Sequence, residues 1–293
     1  MALKFEGSYH GSYDDVSWSV SPTIANAGDA RAPTPAPESS GLVGADGRLI
    51  VLPFNDARAL RETVEARHRE IATILIEPMA NRMGLILPDK AFLEEARALC
   101  DRFGIVLIFD EVIAFRVGYH GAQGESGVAP DVTTLGKIVG GGFPVGAIVG
   151  KSTILDLSDL SKQTRVTHAG TFNANPVTSV AGLATMRTLT PELFDHINEL
   201  GAYARKKLSA VCDGLPLQVT GEGSLFKITA VDRPIRNYRD AAMANKAWEA
   251  TASLALLTEG FLVTPNLAGC VSAVTDRAQA DAFIDAFAAI SAT

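Results

Sequence analysis

Cysteine is scarce in this sequence, and its few histidines are scattered. Three cysteines lie far apart at Cys100, Cys212 and Cys270, and no two of them form a C-x-x-C pair. The five histidines show no metal-ligand spacing either: His10, His68, His120, His168 and His196. We therefore expect neither a disulfide framework nor a zinc site, and no other metal site.

Basic residues and long apolar runs are also in short supply. The chain has 26 Lys and Arg against 33 Asp and Glu, a formal net charge of −7 at pH 7, and no basic block. This balance disfavours nucleic acid and anionic membranes as partners. The opening MALKFEG has no apolar signal core, and no apolar run approaches the roughly 18 residues of a membrane span. We expect a cytoplasmic protein that acts on small molecules.

The sequence does contain the pattern of an α/β protein. Hydrophobic residues make up 47% of the 293 residues, which is typical of a globular chain with a core. Residues 71–76 and 105–109 are apolar and rich in β-branched side chains, which predicts two buried strands. Between them, Pro88-Asp89 begins a helix and Gly104 ends it. This strand–helix–strand unit predicts a mostly parallel sheet covered by helices.

The same patterns predict further elements. A helix is predicted over residues 56–68, and prolines and glycines predict a loop over residues 28–48. Asn175-Pro176 and Thr190-Pro191 each predict the start of a helix. The first of these two helices is expected to bury Val177, Val180, Leu183 and Ala184. Beyond them, the sequence predicts strands over residues 217–219, 225–231 and 260–264, a helix over 241–257 and a closing helix.

Two carboxylates follow the two predicted strands. Glu77 comes directly after the first strand and Asp110 directly after the second. Ligands of open α/β sheets bind outside the carboxyl ends of the strands, so both side chains are candidate site residues. The alternative is that each acid caps a helix or lies in a solvated turn. For Asp110, which follows a fully apolar strand, we prefer the functional interpretation.

Lys137 lies among apolar residues, and Gly140, Gly141 and Gly142 follow it closely. We expect this lysine to be desolvated, which favours its neutral, nucleophilic amine. Taken alone, it is more simply interpreted as a surface lysine before a flexible turn. The glycine run does not fit the spacing of a P-loop or of a dinucleotide-binding loop, so a nucleotide binder is only a remote alternative.

Together, the aspartate at a strand end and the lysine farther along the chain suit one cofactor. Pyridoxal phosphate acts as an electron sink while its pyridine nitrogen is protonated, and this requires a carboxylate beside that nitrogen. Its aldehyde forms a Schiff base with a lysine. Asp110 and Lys137 supply these two groups.

Five motifs, taken in order, then give a resemblance that covers essentially the whole chain. They are Gly7-Ser-Tyr-His-Gly11, Glu77-Pro78, Phe109-Asp-Glu-Val112, the run from Thr133 to Gly142 and the run from Ala169 to Pro176. This series resembles that of class III pyridoxal-phosphate aminotransferases, nearest to the glutamate-1-semialdehyde 2,1-aminomutase and β-amino-acid aminotransferase branch. The resemblance implies the fold type I of PLP-dependent transferases. It also implies amino-group transfer or aminomutation of a small amino acid or amino aldehyde.

The resemblance implies a domain division and two central roles. Residues 1–190 would form a partial large cofactor-binding domain, and residues 191–293 a smaller C-terminal α+β domain. Lys137 would form the Schiff base with pyridoxal phosphate and then shuttle a proton between substrate and cofactor. Asp110 would pair with the pyridinium nitrogen.

The remaining cofactor contacts also follow from the resemblance. Val112 would pack on one face of the cofactor ring, and Tyr9 would stack on the other face with His10 beside it. Thr171 would donate a hydrogen bond to the phosphate of the neighbouring subunit. This last contact implies a homodimer.

Two features depart from the family pattern. Family members carry a longer segment before the Tyr-His-Gly motif, including a helix N-terminus that cradles the phosphate. We therefore expect an N-terminally truncated fold: either the sequence is a fragment or incomplete gene product, or another chain or a rebuilt site replaces this segment. A truncated homologue that folds and dimerises with little or no activity is the alternative function. Leu267 stands where the aminomutase branch carries a glutamate, which favours an aminotransferase.

Overall fold

Two sheets surrounded by helices make up the part of the chain that the structure describes. The computed structural model describes residues 1–42, 44–45, 47–162 and 166–292. The strands are β1 (Ala2–Phe5), β2 (Leu49–Leu52), β3 (Thr73–Ile76), β4 (Val106–Asp110), β5 (Val132–Gly136), β6 (Gly146–Gly150), β7 (Gln218–Thr220), β8 (Leu225–Thr229) and β9 (Ala268–Cys270). The helices are α1 (Ala57–Arg67), α2 (Lys90–Phe103), α3 (Gly121–Ser126), α4 (Ser152–Leu155), α5 (Pro176–Thr188), α6 (Pro191–Val211), α7 (Tyr238–Ala241), α8 (Lys246–Thr258) and α9 (Arg277–Ser291).

The larger sheet brings several strand ends to one edge. Its strand order is β2-β1-β3-β4-β5-β6 in the described residues. Strands β1 to β5 run parallel, and β6 is antiparallel to β5. The smaller sheet, β7-β8-β9, is antiparallel. The predicted α/β fold with a mostly parallel sheet and a smaller α+β part is confirmed. The segments that leave β1, β3, β4 and β5 therefore meet at one edge of the larger sheet.

Local signals place the central strand–helix–strand unit correctly. Asp89 is the N-cap of α2, and Gly104 ends the helix in the left-handed conformation, with φ 69°. Helix α1 begins after Asp56, whose side chain accepts a hydrogen bond from the Ala59 N–H at 2.8 Å. One detail differs from the prediction. Asp110 is the last residue of β4 rather than the residue after it, because its backbone pairs with Thr134 of β5.

The main hydrophobic core contains a cluster of aromatic rings. Phe92 of α2 is 1% exposed, and its ring centroid lies 5.0 Å from that of Phe5 and 5.5 Å from that of Phe54. Residues from later in the chain join this core, namely Val231, Ile235, Tyr238 and Ala241. A separate core lies between the smaller sheet and helices α6, α8 and α9. The division at residues 190 and 191 stays a prediction.

Helix α5 begins where the sequence predicts, but the prediction of its buried face is wrong. Asn175 caps the helix by accepting hydrogen bonds from the N–H groups of Val177 and Thr178. Val177, Val180 and Leu183 are nevertheless 60%, 69% and 52% exposed, and Ala184 is exposed as well. Only Gly182 of this helix is buried. Periodicity predicts an apolar face, but it does not specify which surface covers that face.

Two predictions in the C-terminal part are also wrong. Residues 260–264 form no strand, because a turn closed by the Leu267 N–H and the Thr264 carbonyl moves the pairing with β8 to Ala268–Cys270. The helix predicted over 241–257 begins later, as α8 (Lys246–Thr258), and Ala241 is instead the last residue of the short helix α7. Asn245 starts α8 as its N-cap, accepting a hydrogen bond from the Trp248 N–H at 3.1 Å.

The predicted loop over residues 28–48 contains no helix or strand of more than one bridge in its described residues. Val43 and Asp46 of that loop lie outside the described residues, as does Thr293 of the predicted small domain. Among the described helices, none combines the length and the apolar composition that a bilayer crossing needs.

Phe92→Ala is expected to lower the free energy of unfolding by about 3–5 kcal/mol, because it leaves a void between Phe5 and Phe54. Urea titration followed by circular dichroism measures this change. Leu254→Ala on α8 is the control, since Leu254 is 65% exposed. It is expected to change the free energy of unfolding by less than about 0.5 kcal/mol. Equal losses in the two variants would contradict the role given to the aromatic cluster.

Candidate active site

A cavity of about 640 Å³ lies at the shared edge of the larger sheet. It brings together five of the six residues predicted for the site: Tyr9, His10, Asp110, Val112 and Lys137. These residues come from three strands, since Tyr9 and His10 follow β1, Asp110 ends β4 and Lys137 follows β5. Glu77, which follows β3, also lines it. Adjacent strand ends therefore place side chains from distant parts of the sequence around one space.

Asp110 and His10 form a buried pair at the floor of this cavity. His10 Nδ1 lies 2.9 Å from Asp110 Oδ2, and the two side chains are 3% and 12% exposed. Burial opposes ionisation of Asp110, but the hydrogen bond from His10 holds its pKa below the usual value. Burial also lowers the pKa of His10, which favours the neutral ring. Because a carboxylate only accepts hydrogen bonds, the hydrogen of the neutral ring is on Nδ1.

A second hydrogen bond fixes the Asp110 carboxylate. Its Oδ1 atom accepts a hydrogen bond from the Val112 N–H at 3.2 Å. Val112 thereby comes to lie beside the carboxylate on the cavity wall. The site holds an oriented negative charge that is shielded from water.

Lys137 lies in a tight turn whose glycines allow close packing. Its φ of 51° is in the left-handed region, which is uncommon for a residue other than glycine and costs about 1–2 kcal/mol. Gly141 has φ 60°, and a Cβ there would collide with the backbone carbonyl of Ala181 in α5. The glycine run therefore lets the turn press against α5. The prediction that Lys137 is desolvated is wrong, because its side chain is exposed at the cavity opening.

Glu77 is a buried carboxyl group on the same cavity wall. It is 5% exposed, and its Oε2 atom accepts a hydrogen bond from the Tyr9 N–H at 3.0 Å. Burial raises its pKa to about 8, and the nearby charge of Asp110 acts in the same direction. Glu77 thus favours the protonated state, whereas Asp110 favours the ionised state. The sequence leaves a site residue, a helix cap and a solvated turn residue open for Glu77, and the structure shows it buried on the cavity wall.

Lys4 fixes the segment that carries Tyr9 and His10, and the sequence analysis missed it. Its Nζ donates hydrogen bonds to the carbonyl oxygens of Ser8, Val16 and Trp18 at 2.8, 3.0 and 2.6 Å. Burial lowers its pKa to about 8, although the charge of Glu77 opposes this change. A lysine inside the apolar strand β1 was the signal that could have identified it.

The surroundings of Tyr9 include a cation. Tyr9 is 36% exposed, and the guanidinium carbon of Arg82 lies 4.7 Å from the centroid of its ring. Such an arrangement stabilises the position of the ring by a cation–π interaction. The Tyr9 ring thus lines the cavity while it contacts the Arg82 guanidinium.

Thr171 is the sixth predicted site residue, and it does not line the cavity of its own chain. It lies in the exposed stretch over residues 166–174 before α5, from which His168 and Asn173 do reach the cavity. The resemblance assigns the contact of Thr171 to a neighbouring subunit, so its role stays a prediction. The cavity also receives Gly146, Ala147 and Ile148 of β6, a strand that the sequence analysis did not predict.

The free energy of unfolding of Glu77→Gln is expected to increase relative to that of the wild type as the pH rises from 4.5 to 8. With the pKa of Glu77 raised from 4.5 to about 8, the unfolded chain loses this proton first, so the wild type loses stability across that window. The difference should grow by about 3–5 kcal/mol, since each pKa unit corresponds to about 1.36 kcal/mol. Urea titrations at several pH values measure it.

Glu94→Gln is the matched control, because the Glu94 side chain is 57% exposed on α2. Its difference from the wild type should stay within about 0.5 kcal/mol over the same pH range. A constant difference for Glu77→Gln as well would show that Glu77 ionises normally in the folded chain.

Comparison with known proteins gives a family for this arrangement. The sequence profile of the family Aminotransferase class-III matches residues 2–290. The glutamate-1-semialdehyde 2,1-aminomutase of Caldivirga maquilingensis is 37% identical over 269 residues, which cover 90% of this chain and 60% of that protein. The aminomutase of Methanothrix thermoacetophila is 35% identical over 291 residues, covering 97% of this chain and 65% of that protein.

Solved structures agree with the family profile. An omega-transaminase from Sphaerobacter thermophilus matches with a TM-score of 0.94 and 41% identity, covering 99% of this chain and 67% of that one. A β-phenylalanine aminotransferase from Variovorax paradoxus matches with a TM-score of 0.85 and 31% identity, covering 98% of this chain and 63% of that one. The chain thus spans 60–65% of the length of the curated relatives above. It belongs to the class-III aminotransferase family.

Proposed function

We propose that this chain carries out amino-group transfer with pyridoxal phosphate, as an aminotransferase acting on a small amino acid or amino aldehyde. The observation that supports this most is the single cavity lined by both the buried His10–Asp110 pair and the Lys137 amine. An ionised carboxylate and a primary amine in one space are the two groups that this cofactor requires of a protein.

The donor set of the cavity fits the cofactor. Asp110 keeps its negative charge through two hydrogen bonds and is placed to accept one from a protonated ring nitrogen. Val112 and Tyr9 provide an apolar surface and an aromatic surface on which a flat ring can lie. When bound, pyridoxal phosphate supplies the electron sink that accepts the electrons of a breaking C–H bond.

The chain's own residues supply the proton chemistry and the orientation. His10 donates from Nδ1 to Asp110, and the Asp110 carboxylate would pair with the pyridine nitrogen of the cofactor and favour its protonated state. Lys137 Nζ is exposed to the cavity, so it can take a proton from a substrate carbon and deliver it to a neighbouring atom. Tyr9 and Val112 would cover the two faces of the ring and exclude water from them.

Aminotransfer is favoured over aminomutation by the residue at position 267. The resemblance places a glutamate of the aminomutase branch there, and this chain has Leu267. Leu267 is 1% exposed within the core of the smaller sheet, so it presents no charge to a substrate. The 41% identity with an omega-transaminase supports the same choice.

We further propose that the chain works as a homodimer, with Thr171 reaching the phosphate site of its partner. Thr171 is exposed, and Phe172 beside it is 83% exposed. The next helix, α5, carries the exposed apolar side chains of Val177, Val180 and Leu183. A contiguous apolar surface of this kind is typical of a protein–protein contact.

Lys137→Ala is expected to abolish the visible absorbance band that develops when the wild type is incubated with pyridoxal phosphate. It should also abolish the cofactor mass that borohydride fixes to the protein, because no other amine occupies that turn. Absorbance spectra and peptide mass spectrometry measure both effects. Lys151→Ala is the control: its side chain is 60% exposed and pairs with Asp131, so the band should persist.

Two outcomes would contradict the proposal. One is a borohydride-stable adduct on Lys137→Ala at the wild-type level. The other is a wild-type dissociation constant for pyridoxal phosphate well above micromolar, the affinity that corresponds to about −8 kcal/mol. The second outcome would support the alternative of a homologue that folds with little or no activity.

Val180→Asp is expected to convert a dimer into a monomer, because it places a charge in the apolar face of α5. Sedimentation velocity measures the mass, and a cofactor titration should show about a tenfold loss of affinity as the contact from Thr171 is lost, roughly one charged hydrogen bond. Leu262→Asp is the control, since Leu262 is an exposed apolar residue outside α5, in the segment between α8 and β9. A wild-type monomer, or an intact Val180→Asp dimer, would overturn this interface.

A further inference from the structure

A second cavity, of about 680 Å³, adjoins the first. The two share Val112, Ile113 and Lys137, so Lys137 lies at the junction between them. A molecule whose amine reacts at Lys137 or at a group bound to it would extend into this second space. Its position makes it the substrate side of the site proposed above.

The lining of the second cavity is apolar with one fixed cation. Its apolar walls include Leu85, Phe143 and Leu225, and Asn81 and Thr264 add uncharged polar groups. Arg116 and Lys137 are its cations, and no aspartate or glutamate of the described residues lines it. Once Lys137 is engaged by a cofactor, Arg116 is the cation that the lining retains.

Neutral groups hold the Arg116 side chain in place. Its Nε donates to Ser224 Oγ at 3.1 Å, its Nη2 to the Val271 carbonyl at 3.0 Å and its Nη1 to Cys270 Sγ at 3.2 Å. Among the described residues, no carboxylate forms an ion pair with it. A guanidinium has five N–H donors, so these contacts leave two free.

An unpaired guanidinium beside an apolar cavity attracts an anion. Its orientation is fixed in advance by Ser224 and Val271, so little side-chain entropy is lost on binding. Carboxylates are bound by arginine through charge-assisted hydrogen bonds, and the apolar walls strengthen such a pair by lowering the local dielectric. No aspartate or glutamate of the residues that the structure describes lines the cavity to neutralise this charge.

We propose that Arg116 is a substrate-binding residue that recognises a carboxylate, and that the second cavity takes amino acids whose carboxylate and amine are joined through an apolar body. This inference rests on the proposed function for the reaction of the substrate amine. The binding of the carboxylate by Arg116 does not depend on that function. It gives the cavity a ligand class: monoanionic carboxylates with an aliphatic or aromatic body.

The test compares two probes with the same apolar body, 3-phenylpropanoate with an anionic carboxylate and 3-phenylpropanamide with a neutral amide. Calorimetry with the pyridoxal-phosphate-treated protein measures the dissociation constant of each. The wild type is expected to bind the acid about 10- to 100-fold more tightly than the amide, the range of a charged hydrogen bond. Arg116→Gln should remove this preference while leaving the affinity for the amide within about twofold, and Arg116→Lys should restore part of it.

Arg58→Gln is the charge-matched control, because Arg58 is 82% exposed on α1. It should keep the full preference for the acid. A wild type that binds the two probes equally would overturn the inference without any variant, and so would equal losses for acid and amide in Arg116→Gln. Cofactor loading is read separately from its absorbance band, so a chain that fails to load but still prefers the acid through Arg116 would contradict only the proposed function.

Discussion

The hydrogen bond between His10 and Asp110 is the interaction on which the candidate site depends. A carboxylate at the bottom of a cavity would ordinarily take up a proton, because burial disfavours its charge. A neutral imidazole that donates from Nδ1 keeps Asp110 ionised without adding a positive charge beside it. Without this donor, burial would favour the neutral form of Asp110, which pairs less well with a protonated heterocycle.

Glu77 shows how strongly the surroundings decide the state of such a group. It follows β3, beside the strand that ends in Asp110, and it lines the same cavity. Its hydrogen bond comes from a backbone N–H and not from an imidazole, and burial raises its pKa to about 8. Two carboxyl groups on neighbouring strands are thus held in opposite protonation states. The cavity floor therefore carries one negative charge instead of two.

The sequence predicted the features that depend on local signals. Helix α2 lies between Asp89 and Gly104 because the residues that cap it are directly next to it in the sequence. The apolar runs before Glu77 and Asp110 predict where the two strands end. Features that depend on distant partners were missed. The exposure of the apolar face of α5 and of Lys137 depends on which other parts of the protein pack against them, and sequence periodicity does not predict that. Lys4 is buried because three carbonyl groups of a later segment surround it, and no local pattern specifies them.

The anchoring of the Tyr9 segment has one consequence of its own. Lys4 holds that segment through three carbonyl groups, which matches the three hydrogens of an ammonium group, and burial lowers its pKa to about 8. A neutral amine has two hydrogens, so deprotonation of Lys4 would remove one of these hydrogen bonds. The segment that carries the Tyr9 ring is thereby linked to pH through a side chain that does not itself line the cavity.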